Sequence, residues 1–196
     1  MKKLFILFIV IGFVLVGCKN EDESGKTNEP SKSDSEINHV DSSKNADVEP
    51  YNGQTLKVAV VGTSPKVRED NVRFNEISFK KLRNGELSTY DAVFVMKENL
   101  AEASQSQYVN VYKKHEIPFF FIAAKNSIPF ILKSEEYSEF WKWTSGTMYT
   151  SGVIYKPKEY GSFKHMGVYL RDGEKTEQNL YSMYSSVFKM IEETNL

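Results

Sequence analysis

Three short polar clusters each follow an apolar run in this chain, and they carry most of the chemistry its side chains offer. Thr63, Ser64 and Lys66 come after Leu56-Lys57-Val58-Ala59-Val60-Val61-Gly62. Lys97, Glu98 and Asn99 come after Ala92-Val93-Phe94-Val95-Met96, and Lys125, Asn126 and Ser127 come after Ile117-Pro118-Phe119-Phe120-Phe121-Ile122-Ala123. Ammonium groups, hydroxyls and amides beside a helix N-terminus make a pocket for an anion or a small polar molecule. Taken singly, the same residues are ordinary loop chemistry, with Asn99 or Ser127 capping a helix and the lysines solvated. A site exists only if the three loops converge.

Catalytic patterns are scarcer. Ser64 follows an apolar run, but no Gly-x-Ser-x-Gly elbow surrounds it. The histidines are His39, His115 and His165, with no His-x-x-x-His or His-Glu-x-x-His spacing for zinc. His115 falls at the end of a helical pattern, where an imidazole is favourable against the helix dipole. No Gly-x-x-x-x-Gly-Lys-Ser/Thr loop is present. No catalytic residue, cofactor or metal is therefore assigned, and whether the chain is an enzyme stays open with a leaning against it.

The elements that position these loops follow from periodicity. Near-continuous β-branched and aromatic runs mark strands buried on both faces. Three are expected, at 56–62, 92–96 and 117–123. Between the last two, Leu100, Ala103, Tyr108, Val111 and Tyr112 recur at helical spacing over Glu98–His115, completing a strand–helix–strand unit. Val72–Ile77 reads as a short edge strand and Phe79–Arg83 as one helical turn before Asn84-Gly85. Tyr137–Trp143 reads as helical. Strands are expected near Met148–Tyr155 and Phe163–Leu170, with a turn around Lys158–Gly161. In Thr176–Glu193, Leu180, Met183, Tyr184, Val187 and Ile191 form an amphipathic stripe. That stripe serves a core, or alternatively a dimer contact.

The first half of this region, about Leu56 to Ala124, resembles the flavodoxin-like and response-regulator-like doubly wound folds. The likeness rests on the order of elements and on the stretches Tyr90-Asp91-Ala92-Val93 and Ile117-Pro118-Phe119-Phe120-Phe121. It implies a three-layer α/β domain with a mostly parallel sheet, whose ligands bind beyond the carboxyl ends of the strands. It implies no shared activity. No acidic pair follows the first strand and no lone Asp ends the third, as a phosphoacceptor needs. Gly62-Thr63-Ser64-Pro65 is too short a loop for a flavin phosphate.

Ahead of the domain stands a segment of another kind. Lys2 and Lys3 precede thirteen apolar or glycine residues, Leu4–Val16, and Gly17-Cys18 closes the run. That is shorter than the ~20 residues a membrane-spanning helix needs, and it fits the core of an export signal. Leu15-Val16-Gly17-Cys18 resembles the lipobox of bacterial lipoproteins, and the chain as a whole looks like such lipoproteins of the Bacillus type. The resemblance implies cleavage after Gly17, a diacylglyceryl (palmitate-class) lipid on Cys18, and residence on the extracytoplasmic face of the cell membrane. Cys18 is the one cysteine of the chain, so the rest must hold together without disulfides.

Residues 19–50 carry four Lys against nine Asp/Glu and no aromatic residue. Such a stretch buries too little apolar surface to offset its ordering entropy and reads as a disordered acidic tether. As a flexible coil its 32 residues span roughly 30 Å root-mean-square. The expected organisation is therefore signal peptide 1–17, lipidated cysteine and tether 18–50, and an α/β domain 51–196. The domain holds 19 Lys/Arg and 17 Asp/Glu, which is not the basic balance of a nucleic-acid binder.

Tyr137, Phe140, Trp141, Trp143, Tyr149, Tyr155 and Tyr160 offer a second kind of surface, for stacking sugars or for protein contacts. The expected partners are the membrane through Cys18 and an envelope protein, a wall polymer or a small polar or anionic ligand. The functional expectation is a non-catalytic envelope-binding or accessory lipoprotein. The alternative is a lipid-anchored hydrolase or transferase using the same strand-end pocket.

Overall fold

A computed structural model describes residues 48–158 and 162–195. The signal segment, Cys18, the tether up to residue 47 and Tyr160 lie outside the described residues, as does most of the turn expected at Lys158–Gly161. Six strands form one sheet: β1 Leu56–Val61, β2 Val72–Glu76, β3 Ala92–Val95, β4 Phe119–Ile122, β5 Met148–Lys156 and β6 Ser162–Tyr169. Their order is β2-β1-β3-β4-β5-β6. The helices are α1 Phe79–Asn84, α2 Leu100–Ala103, α3 Ser106–Lys114, α4 Ile128–Ile131 and α5 Glu177–Asn195.

The apolar runs are central strands. Every residue of β3 and β4 is buried, as is all of β1 except Lys57. Alternation along them builds two cores. Val93, Val95, Phe119 and Phe121 face Tyr108 and Tyr112 of α3, whereas Val58, Val60, Phe94, Phe120 and Ile122 face Met183, Val187, Phe188 and Ile191 of α5. Helices thus cover both faces, giving three layers. The α5 stripe is buried against its own sheet, with Val187 and Ile191 fully enclosed, so it is not available as a dimer surface. Each such side chain adds about 1.5–3 kcal/mol of hydrophobic stabilisation. The edge strands β2 and β6 carry exposed residues, Arg73 and Lys164 among them, which suits edges that must not pair with other chains.

The sheet is mixed, not mostly parallel in the flavodoxin-like manner. Strands β2, β1, β3 and β4 are mutually parallel, but β5 runs antiparallel to β4 and β6 antiparallel to β5. A parallel β5 needs a crossover long enough to carry the chain back along the sheet, usually a helix. Between β4 and β5 there is only α4, four residues long, and a 3-10 turn at Glu139–Trp141. The chain therefore re-enters at the strand end it left. That 3-10 turn is all that forms of the helix expected over Tyr137–Trp143. Gly152 of β5 makes the pairing fit, because a Cβ there would lie 2.6 Å from Phe120 Cδ1.

The helix expected over Glu98–His115 is interrupted. A 3-10 turn, Lys97–Asn99, leads into α2, and α3 starts afresh after Gln105, whose backbone is extended at ψ 139°. Ser104 Oγ donates to the Ala101 carbonyl (2.9 Å) and accepts from the Tyr137 N–H (2.9 Å). Such side-chain bonds to the backbone compete with the helical ladder. Among the described residues no helix is long and apolar enough to cross a membrane.

Residues 48–54 are fastened to the α5 side. The buried Glu69 carboxylate accepts from the Tyr51 N–H (3.2 Å) and from Ser185 Oγ, and Arg68 donates to the Val48 carbonyl. Gln54 N–H donates to Glu192 Oε1 at 3.1 Å. The chain thus approaches β1 beside the last turns of α5.

Candidate functional site

The first polar loop begins at Gly62, which has φ +118°, a conformation costly for any residue with a Cβ. A Cβ there would lie 2.6 Å from both Asn99 Nδ2 and Glu98 Oε1. The glycine thus lets the β1 and β3 loops touch. Asn99 Nδ2 donates to the Val61 carbonyl (3.3 Å), and Glu98 Oε1 accepts from the Thr63 N–H (3.3 Å). Glu76, at the end of β2, accepts from the Ser64 N–H at 2.8 Å. That backbone bond, helped by the Ser64 hydroxyl, holds the Glu76 carboxyl below its ordinary range.

These two loops form one wall of a cavity of about 510 Å³, within the range usual for small-molecule sites. Thr63, Ser64, Lys66, Lys97 and Glu98 line it together with Pro65 and Met96. The floor is Ile122 and Tyr149, and the far wall is the start of α5, with Glu177, Leu180, Tyr181 and Tyr184 beside Lys175. Asn99 is a brace behind the wall and not part of the lining. Among the described residues that line the cavity there is no histidine.

The third loop goes elsewhere. Ala123 takes φ +66°, with its N–H bonded to the Tyr149 carbonyl (2.7 Å) and its carbonyl to the Trp143 N–H (3.0 Å). The next residues join the opposite core, where Ala124 and Phe130 are fully buried. Lys125 lies with its ammonium 3.9 Å from the Phe140 ring centroid, and Asn126 Oδ1 accepts from the Ile128 N–H (2.9 Å). Ser127 Oγ is 2.8 Å from His165 Nδ1. Lys125 and Asn126 are thus structural partners within the 123–147 segment and Ser127 is a partner of β6, and the expectation that all three loops converge is corrected to two.

The cavity's phenols have a distinct environment. Tyr149 and Tyr184 are 4 % and 5 % exposed. Burial raises both above their ordinary value, and for Tyr184 the neighbouring Tyr149 and Glu98 add to the rise. Tyr181, by contrast, is raised chiefly by donating to Glu177 Oε1 at 2.6 Å. The sequence signal for this wall lay in the helical stripe itself, since Leu180 and Tyr184 stand at its first turns.

The remaining candidates separate. His115 ends α3, half-buried, with Nε2 sealed and unpartnered; burial and then Lys114 lower its affinity for a proton. The aromatic residues do not share one face. Tyr137 stacks on Phe130 in the α3-side core, Trp143 packs edge-on to Tyr149, and Tyr155 packs on Phe163. Phe140, 66 % exposed, is left outside with Trp141 against it. Among the described residues no group of three or more His, Cys, Asp or Glu is placed to hold a metal ion. No protein-family model, curated protein or solved structure matches this chain.

Proposed function

We propose that this chain is a lipid-anchored protein of the extracytoplasmic membrane face that binds a small ligand in the strand-end cavity, as a non-catalytic accessory protein of the cell envelope. The observation that carries the binding reading is the meeting of the β1 loop, the β3 loop and the start of α5 around one cavity of about 510 Å³. The lipobox-like Leu15-Val16-Gly17-Cys18 supports the anchor. Two acyl chains give stable membrane residence where one gives only marginal binding.

Two measurements test the two parts. Cys18→Ala is expected to abolish fatty-acid labelling and release the protein from membranes; unchanged labelling and retention sink the anchor. For the cavity, Leu180→Trp fills its far wall, and ligands found by calorimetry are expected to lose binding in that variant. Ligands that bind it as they bind the wild type would move the site elsewhere.

A further inference from the structure

Resting on the cavity reading, we infer that the ligand is an anion with an apolar body, a phosphate or carboxylate ester or acid bearing an aryl or acyl group, held by Lys66, Lys97 and Lys175 and by the hydroxyls of Tyr149 and Tyr184. The inference comes from the hydrogen-bonding inventory of the lining. Its two carboxylates are each engaged within the protein through one oxygen and are outnumbered by three lysines: Glu98 Oε1 accepts from the Thr63 N–H, and Glu177 Oε1 from the Tyr181 hydroxyl. Its donors are not. Neither Tyr149 nor Tyr184 has a hydroxyl partner among the described residues, and both are more than nine-tenths buried. Neither hydroxyl is among the sealed, unpartnered polar atoms of the described residues, so each opens onto the cavity that its residue lines. A phenol is protonated at neutral pH, and burial raises both further above it, so each has a proton to donate.

The ammonium groups point the same way. Among the described residues the ion pairs are Arg68 with Glu69 and Lys142 with Glu139, so the three lysines lining the cavity have no carboxylate partner. The buried Tyr149 and Tyr184 hydroxyls are costly to leave without acceptors, and the exposed lysines add positive charge at the mouth, so an acceptor-rich anion engages both. The rest of the lining sets the ligand's other half. Met96, Ile122 and Leu180 give an apolar floor and wall, which a bare inorganic anion would leave unfilled. A cationic guest meets the opposite situation, since Lys175 already lies 5.7 Å from the Tyr149 ring centroid and competes for that π face.

Calorimetric titration of the full chain separates these chemistries with four probes: phenyl phosphate, inorganic phosphate, benzyl alcohol and benzyltrimethylammonium. Phenyl phosphate is expected to bind about tenfold or more tightly than each of the others, as charge-assisted bonds together with apolar burial require. The triple variant K66A/K97A/K175A, altering three exposed side chains, is expected to lose about tenfold in that affinity. Tyr149→Phe with Tyr184→Phe keeps the rings packed and is expected to weaken binding several-fold. Tighter binding of the alcohol or the ammonium probe, abolished by Leu180→Trp, overturns the anion and leaves the cavity reading standing. Equal binding of inorganic phosphate overturns the apolar body. Binding of none of the four overturns the inference, and a lysine-independent affinity does the same.

Discussion

Lys97-Glu98-Asn99 and Lys125-Asn126-Ser127 are both short polar stretches that begin with a lysine just beyond a buried parallel strand, and they end in opposite roles. The first meets the Gly62 loop and walls a cavity. The second is turned into the other core, where it caps, braces and stacks. Loop composition does not distinguish them. Two backbone angles do, φ +118° at Gly62 and φ +66° at Ala123, together with a β5 strand that returns antiparallel. A polar strand end becomes a site only where the backbone turns toward a neighbouring loop and a covering helix overhangs it.

The largest effect is expected from breaking the loop that converges. Gly62→Val forces a branched residue into a left-handed conformation beside Asn99 and Glu98 and is expected to cost about 3 kcal/mol of stability. Urea denaturation measures it, and a loss under 1 kcal/mol would show that the close approach is not required. Next comes the direct contrast of the two loops. Removing both Lys125 and Asn126 as alanines is expected to change probe affinity by less than about twofold, against the tenfold of the cavity lysines. A comparable loss from both sets would erase the distinction.

A smaller effect sharpens the divergent loop. Ala123→Gly relieves a positive φ but loosens the unfolded chain, for a net gain of about 0.5 kcal/mol in the same denaturation assay. Destabilisation there would mean that the turn depends on the Ala123 side chain.

The smallest effect concerns pH and again sits on the side away from the cavity. Burial lowers both His115 and His165 below their ordinary 6.5. The unfolded chain therefore takes up protons first as pH falls. The stability these residues leave intact above pH 6.5 is lost as pH drops through their folded-state values. His165→Gln is expected to flatten that dependence while leaving probe binding at neutral pH unchanged. An unflattened profile would remove His165 as a source.

Much of the architecture was legible because burial on two faces leaves an unmistakable signature. Val58–Val61, Val93–Val95 and Phe119–Ile122 have no polar side to misread, and the stripe from Leu180 to Ile191 has the period of one helix face. The break at Ser104-Gln105 was not legible, since Leu100 to Tyr112 keep helical spacing across it. Neither was strand direction, because β5 buries the same residue types whichever way it runs. Five of the proposed site residues do line the cavity, whereas its second wall stayed hidden in residues read as core. Tyr184 is both, with its ring in the α5 core and its hydroxyl open to the cavity.

By itself the sequence determined the strands, the long final helix, the polar strand ends and the expectation of an anchor at Cys18, all of which depend on local pattern and residue type. Tertiary structure alone decided which loops meet, which way the last two strands run, and that Tyr149, Tyr181 and Lys175 join Lys66 and Lys97 around one space. The reason is physical. Periodicity records which face of an element is buried, whereas a site depends on the ends of elements, where one glycine or one left-handed alanine redirects the chain and no repeating pattern remains to read.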